Sequence, residues 1–444
     1  MHPFLRDSKY SIAGSGFPPQ RGRSVHCKWF SDEGAAPTRT ASPTGDAADA
    51  HSRFDRHHPV WRQIMKKTLI VAALAGVAAS AAHAQSSVTL YGLIDAGITY
   101  TNNQHGHSAW QETSGSINGS RWGLRGTEDL GGGLKAIFTL ENGFGINNGS
   151  LKQNGREFGR QAFVGLAHNS FGSLTLGRQY DSVVDYLGPL SLTGTQYGGT
   201  QFAHPFDNDN LNNSFRINNS VKYQSANYGG LKFGGLYGFS NSTGFANNRA
   251  YSVGASYSYM GFNVAAAYLQ LNNNINALAL AASDPGAVAG DWTFAASRQR
   301  TWGAGLNYTF GPATAGFVFT QTRLTNSAGI SAGQSGVSTG IPLTGGTRFN
   351  NYEVNGRYAL TPAFSLAGSY TYTDSRLDGQ TPSWHQFNLQ ADYALSKRTD
   401  LYLQSEYQRV NTNGLAIGAN INGLGAASST NKQIAVTAGM RHRF

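Results

Sequence analysis

Residues 85–444 are predicted to be all-β and to form a 16-stranded antiparallel transmembrane β-barrel with long extracellular loops and short periplasmic turns. Three observations lead to this fold class. Sixteen short runs alternate apolar and polar side chains, short and long connections alternate between the runs, and the last run ends on the aromatic residue Phe444. This combination is typical of barrels that cross an outer membrane.

The final run shows the alternation most clearly. Apolar side chains share one face, namely Ile434, Val436, Ala438 and Met440, and the other face carries Ala435, Thr437, Gly439, Arg441 and Arg443. Successive side chains of a strand point to opposite faces, so one face can meet lipid while the other meets water.

Taken in chain order, the same alternation predicts sixteen strands, an even number, as a closed barrel with both ends on one side of the membrane requires. They lie at 87–100, 120–126, 133–141, 158–167, 173–179, 214–225, 230–240, 250–259, 262–269, 300–310, 313–322, 349–359, 363–373, 385–395, 399–409 and 433–444.

The connections differ in length in a regular way. Every second connection is short, as at 169–172, 227–230 and 311–312, and the others include the long segments 101–119, 180–213, 270–299, 323–348 and 410–432. All seven prolines after residue 84 fall in connections, where a missing N–H costs no ladder hydrogen bond. Tight turns on one side and long loops on the other indicate an outer-membrane barrel rather than a periplasmic sandwich.

The first 84 residues do not resemble the rest. Residues 1–64 lack periodicity and are predicted to be an extension that does not belong to the native protein, with translation starting at Met65. Residues 65–84 have a charged start, a short apolar run and a small-x-small cleavage site, which predicts a signal peptide. A folded or regulatory N-terminal domain is the alternative for residues 1–64, but they contain no apolar runs.

Composition excludes several classes of chemistry. The sole cysteine, Cys27, precedes residue 85, so neither disulfides nor thiolates are available to the predicted barrel. No cofactor, metal or nucleic-acid partner is predicted. Residues 85–444 carry 23 Lys or Arg and 18 Asp or Glu, and no run of 18 apolar residues occurs there that would form a spanning helix.

Parity assigns most charged residues to the inner face. Arg121 and Arg125 alternate with Trp122 and Leu124, and Arg160 alternates with apolar neighbours. The run 214–225 similarly predicts Arg216 and Lys222 facing inward, with Phe215, Ile217, Val221 and Tyr223 facing outward. An Arg on the lipid face at mid-membrane would cost roughly 2–4 kcal/mol, so the predicted interior is wet. A barrel of about sixteen strands then encloses an aqueous channel.

Four stretches carry a resemblance to a known family: residues 87–92 (SVTLYG), 120–126 (SRWGLRG), 160–166 (RQAFVGL) and 177–180 (GRQY). With the signal and the terminal Phe444, they resemble the general diffusion porins of Gram-negative bacteria over essentially all of 85–444. The resemblance implies an outer-membrane homotrimer that lets small hydrophilic solutes and ions diffuse passively through a water-filled pore.

The resemblance also implies a pore constriction, because in that family the third long loop folds into the barrel. Carried over by position, this loop is 180–213, its acidic candidates are Asp181 and Asp185, and the facing basic wall is Arg121, Arg160 and Arg216 with Arg125 beside it. Opposed charges across a narrow pore set up a transverse field. Because cations outnumber acids there, modest anion selectivity is expected. A phosphate- or nucleotide-preferring channel of the same fold is the alternative.

Further contacts follow from the same resemblance. Arg178 shares parity with Leu174 and Leu176, so it is expected to point outward and to bind a neighbouring subunit, with Glu157 as a candidate partner. The alternative is an Arg that extends into the membrane interface. Phe444 is the expected signal for the barrel-assembly machinery, and outer-membrane lipid and lipopolysaccharide are expected partners.

Two other classes of function are disfavoured. An outer-membrane hydrolase would need a nucleophile with a base, but no His-Glu-x-x-His occurs and none of the six histidines after residue 84 has a recognisable partner in the sequence. An adhesin would need a passenger domain or dominant loops, whereas the longest connection is 180–213. The run 207–210 (DNDN) lacks the Gly and distant Glu of a calcium loop and is expected to be a solvated loop.

Overall fold

The computed structural model describes residues 86–272, 286–288, 294–332, 337–341 and 345–444. The predicted extension (1–64) and signal peptide (65–84) lie outside the described residues and stay predictions. Among the residues described, no helix is both long enough and apolar enough to cross a membrane.

The described chain forms one antiparallel sheet that closes on itself, which confirms the predicted 16-stranded barrel. β2 and β3 share the second barrel position, and β13 pairs with β12 outside the closed ring. The strands are β1 Ser87–Gln104, β2 His107–Ser114, β3 Arg121–Gly131, β4 Leu134–Gly143, β5 Gln161–His168, β6 Gly172–Gln179, β7 Ile217–Gln224, β8 Leu231–Gly238, β9 Ala250–Tyr259, β10 Phe262–Asn272, β11 Ala295–Phe310, β12 Ala313–Ala332, β13 Val337–Ile341, β14 Gly345–Ala359, β15 Phe364–Arg376, β16 Ser383–Ala394, β17 Thr399–Asn411 and β18 Lys432–Arg443.

The barrel closes between its first and last strands. β1 pairs with β18 from Leu93 opposite Arg443 to Thr101 opposite Ala435. Phe444 continues the ladder, because its N–H donates to the Gly92 carbonyl and its own carbonyl accepts from Gly92 N–H, both at 3.1 Å. A Cβ on Gly92 would lie 2.2 Å from the Phe444 ring, so this position requires glycine.

The predicted loop 101–119 is wrong in part. β1 continues to Gln104, turns at His105 and Gly106, and returns as β2. Both turn residues have positive φ, 53° and 97°, as a two-residue hairpin requires. The alternation was not visible because this hairpin lies at the end of the barrel with the long connections, where a strand needs no apolar face. The predicted loop 323–348 is likewise shortened, by the extension of β12 and by β13.

The outward direction predicted for Phe215 and Ile217 is also wrong. Phe215 is 2% and Ile217 0% exposed. β7 begins only at Ile217, and Asn219 has φ 51°, so a bulge reverses the parity between Ile217 and Lys222. Ile217 and Lys222 therefore both face inward.

The segment between β6 and β7, residues 180–216, is here called the lumen loop. It contains short helical turns at Val183–Leu187, Gly188–Leu190, Leu192–Gly194, Thr200–Phe202 and Pro205–Asp207. Its apolar side chains Val183, Leu187 and Leu190 are buried in one cluster with Ala265, Ala267, Leu269 and Val318 of β10 and β12. Those strand residues alternate with exposed outward neighbours such as Val264, so the loop packs against the inner wall.

Candidate functional site

Three adjoining cavities follow one another from the long-connection end of the barrel to the short-turn end. The outer cavity (about 340 Å³) is lined in part by Ser116 and Gln201, the middle cavity (about 200 Å³) by Thr193 and Asn213, and the inner cavity (about 470 Å³) by Tyr91. The outer and middle cavities share Gly119, Arg160 and Thr200, and the middle and inner cavities share Asn118, Arg121 and Gly194. The middle cavity is the smallest of the three and is the candidate constriction.

Arg160 is fixed on the wall of the constriction by a carboxylate. Its Nε lies 2.7 Å from Glu141 Oε1, and the Tyr180 hydroxyl donates to the same oxygen at 3.0 Å. Tyr91 donates its hydroxyl to the other oxygen, Glu141 Oε2, at 3.0 Å. Glu141 thus holds Arg160 and two tyrosines in one network, while Arg121 bonds through Nε to the Gly119 carbonyl at 2.9 Å.

Strand register and glycines create the room for this network. Glu141 of β4 lies opposite Gly123 of β3 on one side and Gln161 of β5 on the other. A Cβ at Gly143 would lie 3.2 Å from the Arg160 side chain, and one at Gly123 would lie 2.9 Å from the Tyr91 hydroxyl. The side chains of Arg160 and Tyr91 therefore cross the inner face only where the neighbouring strand has a glycine.

The break between β2 and β3 (residues 115–120, here the break segment) forms a second side of the constriction. The buried Asp95 carboxylate accepts the N–H groups of Ile117 at 3.1 Å and Asn118 at 2.8 Å. Gly115 has φ 76°, and a Cβ there would lie 2.6 Å from Gly119. The two glycines therefore allow a tight excursion from the strand, and Asp95 fixes it.

The tip of the lumen loop meets the break segment. Thr200 N–H donates to the Ser116 carbonyl at 3.1 Å. Gly199 has φ 74°, and a Cβ there would lie 1.9 Å from the Ile117 carbonyl oxygen, so only glycine permits this contact. Arg441 of β18 bridges both partners, since its Nη1 lies 2.6 Å from Asn118 Oδ1 and 2.9 Å from the Gln196 carbonyl.

A buried histidine anchors the other flank of the lumen loop. His204 lies with Nδ1 2.6 Å from Asp209 and Nε2 2.9 Å from Glu353 of β14, and all three side chains are at most 1% exposed. Burial alone lowers the pKa of His204, but the two carboxylates outweigh it and raise the pKa to about 10. His204 is therefore a cation at neutral pH, held between two anions.

The two predicted loop acids are engaged elsewhere. Asp181 accepts from Val183 N–H at 2.8 Å and from Asn210 at 2.7 Å, and burial raises its pKa to about 6 despite these bonds. Asp185 forms an ion pair with Lys222; burial raises the pKa of Asp185, against the lowering effect of Lys222. The carboxylate that lies beside the predicted arginines is Glu141 of β4.

The structure brings together only part of the predicted basic wall. Arg121 and Arg160 line the middle cavity, and Arg125 lines the inner cavity with its guanidinium 5.2 Å from the centre of the Tyr91 ring. Arg216 is 1% exposed, and its guanidinium lies 5.7 Å from the centre of the Tyr180 ring. Arg178 is 8% exposed, and its Nε donates to the Gly159 carbonyl at 2.9 Å.

Sequence reasoning missed three contributors. Parity indicates only that Glu141 faces inward and not its role beside Arg160, and no sequence pattern links His204 to a partner. The break segment was treated as loop, although Gly115 and Gly119 frame it and could have indicated a tight excursion. The expectation that the run 207–210 is a solvated loop is wrong, because the run is buried: Asp207 accepts hydrogen bonds from Ser214, and Asp209 binds His204. In the described part of the chain, no group of three acidic, His or Cys side chains could hold a metal.

Comparisons with known proteins agree with this architecture. The model of the family described as "Gram-negative porin" matches residues 70–415. An outer membrane porin protein of Bordetella pertussis is 35% identical over 418 residues, covering 86% of this chain and 100% of that protein. Outer membrane porin protein 32 of Delftia acidovorans is 33% identical over 391 residues, with the same coverage of both chains.

A solved structure is similar as well. The anion-selective porin from Comamonas acidovorans has a TM-score of 0.63 and 25% sequence identity, covering 81% of this chain and 100% of that one.

Proposed function

We propose a specific pore mechanism for this chain, which belongs to the Gram-negative porin family and is an outer-membrane channel for passive diffusion of small hydrophilic solutes. Its relatives and fold are those of channels rather than enzymes. The proposal is that solutes pass the middle cavity, between Arg121 and Arg160 on the barrel wall and the tip of the lumen loop, with a modest preference for anions.

The observation that carries the proposal is the sharing of residues between the three cavities. Arg160 borders the outer and middle cavities, and Arg121 borders the middle and inner ones. A solute that crosses along these three cavities therefore passes both guanidinium groups in turn. Fixed charge of one sign in a narrow pore attracts counter-ions and repels co-ions.

Charge balance along this route supports the anion preference. Glu141 is the acid beside Arg160, while Arg125 also lines the inner cavity; Arg443 lines it too but forms an ion pair with Asp400. Since Asp181 and Asp185 bind the loop backbone, Asn210 and Lys222, they do not offset these cations. The anion-selective porin from Comamonas acidovorans, similar over its whole length, agrees with this part of the proposal.

The test is the reversal potential of residues 85–444 refolded into a planar bilayer across a KCl gradient. We expect a potential that indicates a modest chloride preference, and a preference for potassium would refute the proposal. Block of the conductance by a low concentration of one phosphate or nucleotide would instead identify the substrate-specific alternative.

Assembly into a homotrimer is part of the proposal. Conductance should then appear in steps of three, and Arg178 is the proposed subunit contact. Within one chain its Nε already bonds Gly159, so Arg178→Ala should be compared with Arg156→Ala, an arginine that bonds the Gln153 carbonyl in the connection before β5. Loss of trimer heat resistance in detergent gels only for Arg178→Ala would support the contact, and equal behaviour of both variants would remove it.

A further inference from the structure

Four arginines form a row across four neighbouring strands near the long-connection end of the barrel. Arg300 of β11 lies opposite Arg323 of β12, Arg323 lies opposite Arg348 of β14, and Arg348 lies opposite Arg376 of β15. Adjacent strands are about 4.8 Å apart, so the row extends over about 14 Å. We call it the arginine row.

The arginine row faces outward, away from the lumen. The residues next to its members are buried on the inner side: Thr301, Thr322 and Phe349 are 0% exposed and Ser375 is 3% exposed. Because side chains alternate along a strand, the arginines project from the opposite face. The Arg348 side chain is 43% exposed, so the row meets the surroundings of the barrel.

Directly below the arginine row is a hydrogen-bonded polar row, again one residue per strand. Trp302 Nε1 donates to Gln321 at 3.3 Å, Gln321 donates to Asn350 at 2.8 Å, and Asn350 donates to Asp374 at 3.0 Å. These bonds fix a polar edge across the same four strands. Asp374 also lies 3.8 Å from Arg348 and supplies one negative charge to the row above.

Below the polar row is a row of aromatic rings. Phe319 contacts Tyr352 with ring centres 5.1 Å apart, Tyr352 contacts Tyr372 at 6.2 Å, and Tyr372 contacts His385 at 5.1 Å. On β11, the eight residues from Trp302 to Phe310 span about 27 Å along the strand. Because the strands of a barrel are tilted, this corresponds to a height of about 20 Å along the barrel axis. This matches an apolar band about 25 Å tall with aromatic edges.

The three rows therefore match the parts of an anionic lipid in order. The aromatic row would contact acyl chains, the polar row the polar region, and the arginine row a negatively charged head group. Like charges directly opposite one another on adjacent strands are destabilising, and three such arginine pairs occur in succession here. Guanidinium groups bind phosphate oxygens in two-point geometry, and a phosphate group between neighbouring arginines would offset this repulsion.

We propose that the arginine row binds the phosphorylated head group of a glycolipid in the outer leaflet, with its acyl chains on the aromatic row. Long connections of such barrels lie outside the cell, so the row is at the level of the outer leaflet's polar groups. Lipopolysaccharide is the outer-membrane lipid of this chemistry. The inference rests on the outer-membrane location and is independent of the ion selectivity proposed above.

The test uses the refolded chain in zwitterionic detergent with EDTA, so that no divalent cation bridges protein and lipid. Purified lipopolysaccharide is titrated in its native form and after enzymatic removal of its phosphates. We expect about tenfold weaker binding of the dephosphorylated lipid. Equal binding of the two lipids would overturn the proposal without any variant.

A pair of double variants locates the site. Arg323→Gln/Arg348→Gln should weaken binding of the native lipid about tenfold, whereas Lys397→Gln/Arg398→Gln removes two exposed cations at a short turn and should leave it unchanged. Unchanged single-channel conductance in both shows an intact barrel. Equal affinity of the two double variants for the native lipid would refute the proposal. Full competition by inorganic phosphate would refute it as well, because the site would then bind free phosphate. Loss of the oligomer without loss of lipid binding would also refute it, because the row would then be a subunit contact.

Discussion

The two halves of the lumen wall use their charged residues in opposite ways. Around β14, Glu353 is fully engaged by His204, Ser191 and the Leu192 N–H, so its charge is cancelled within the protein. Around β3, Arg121 and Arg125 line cavities in which only part of their charge is balanced. We call these the anchored half and the open half.

The difference teaches that ion selectivity does not follow from counting charges that face inward. Asp185 of the lumen loop forms an ion pair with Lys222 of β7, and the His204 cluster is buried. Such groups position the loop. Charges that border the three cavities, such as Arg121, act most directly on an ion that passes along them.

Removing the central cation of the anchored half should have the largest effect. His204→Ala leaves Asp209 and Glu353 facing each other without the positive charge between them, and loss of one partner from a buried ionic group costs about 3–5 kcal/mol. The expected result is a lower unfolding temperature together with noisy, larger single-channel currents. His107→Ala, at an exposed histidine at the start of β2, is the control and should change neither.

Pushing the loop tip away from the break segment should have the next largest effect. In Gly199→Val the new side chain would overlap the Ile117 carbonyl, at a cost of about 1–3 kcal/mol beyond backbone strain. Gly149→Val is the matched control, because Gly149 has a similar φ of 71° with open space around it. Conductance should rise for Gly199→Val alone, and an equal rise in both variants would show that the contact does not set the aperture.

The His204 anchor predicts a pH dependence of defined sign. The folded-state pKa of His204 is raised from 6.5 to about 10, so its stabilisation is complete below pH 6.5 and is lost as the pH rises through 10. The decline is at most about 1.4 kcal/mol per pH unit. Thermal unfolding from pH 6 to 10.5 should show it in the native chain. The same decline in His204→Ala would assign it to another group.

Charge removal in the open half should give the smallest free-energy change but a specific one. Arg121→Gln should lower the chloride-to-potassium permeability ratio about twofold, since one screened charge a few ångströms from an ion contributes about 0.5 kcal/mol. Arg216→Gln should leave the ratio unchanged, because Arg216 lines none of the three cavities described above. An equal shift of the permeability ratio in both variants would show that Arg216 also belongs to the basic wall.

The strands could be predicted because lipid enforces alternation wherever a strand crosses the membrane. The same rule has no force above the membrane, which is why β2 was missed, and it fails at a bulge, which is why Ile217 was placed outward. Phe444 at the end of β18 was predicted as a terminal feature, but its packing on Gly92 depends on closure of the barrel.

The candidate site was less predictable, because its contacts join residues far apart in the chain. Parity could place Arg121 and Arg160 on the inner face, and the structure brings both to the middle cavity. One of the two partners of His204 is Glu353, 149 residues away, and no local pattern indicates that pair. Asp181 and Asp185 were chosen by loop position alone, which does not show that burial and Lys222 engage them.

The central claim, that ions pass only along the open half, can be tested with single cysteines, since Cys27 precedes the barrel. Asn118→Cys borders the middle and inner cavities, whereas Gln404→Cys replaces an inward-facing, fully buried residue of β17 that bonds Gln201 of the lumen loop. An anionic methanethiosulfonate reagent should shift the reversal potential of Asn118→Cys towards potassium and leave Gln404→Cys unaltered. Comparable modification of Gln404→Cys, with a comparable shift, would contradict the account.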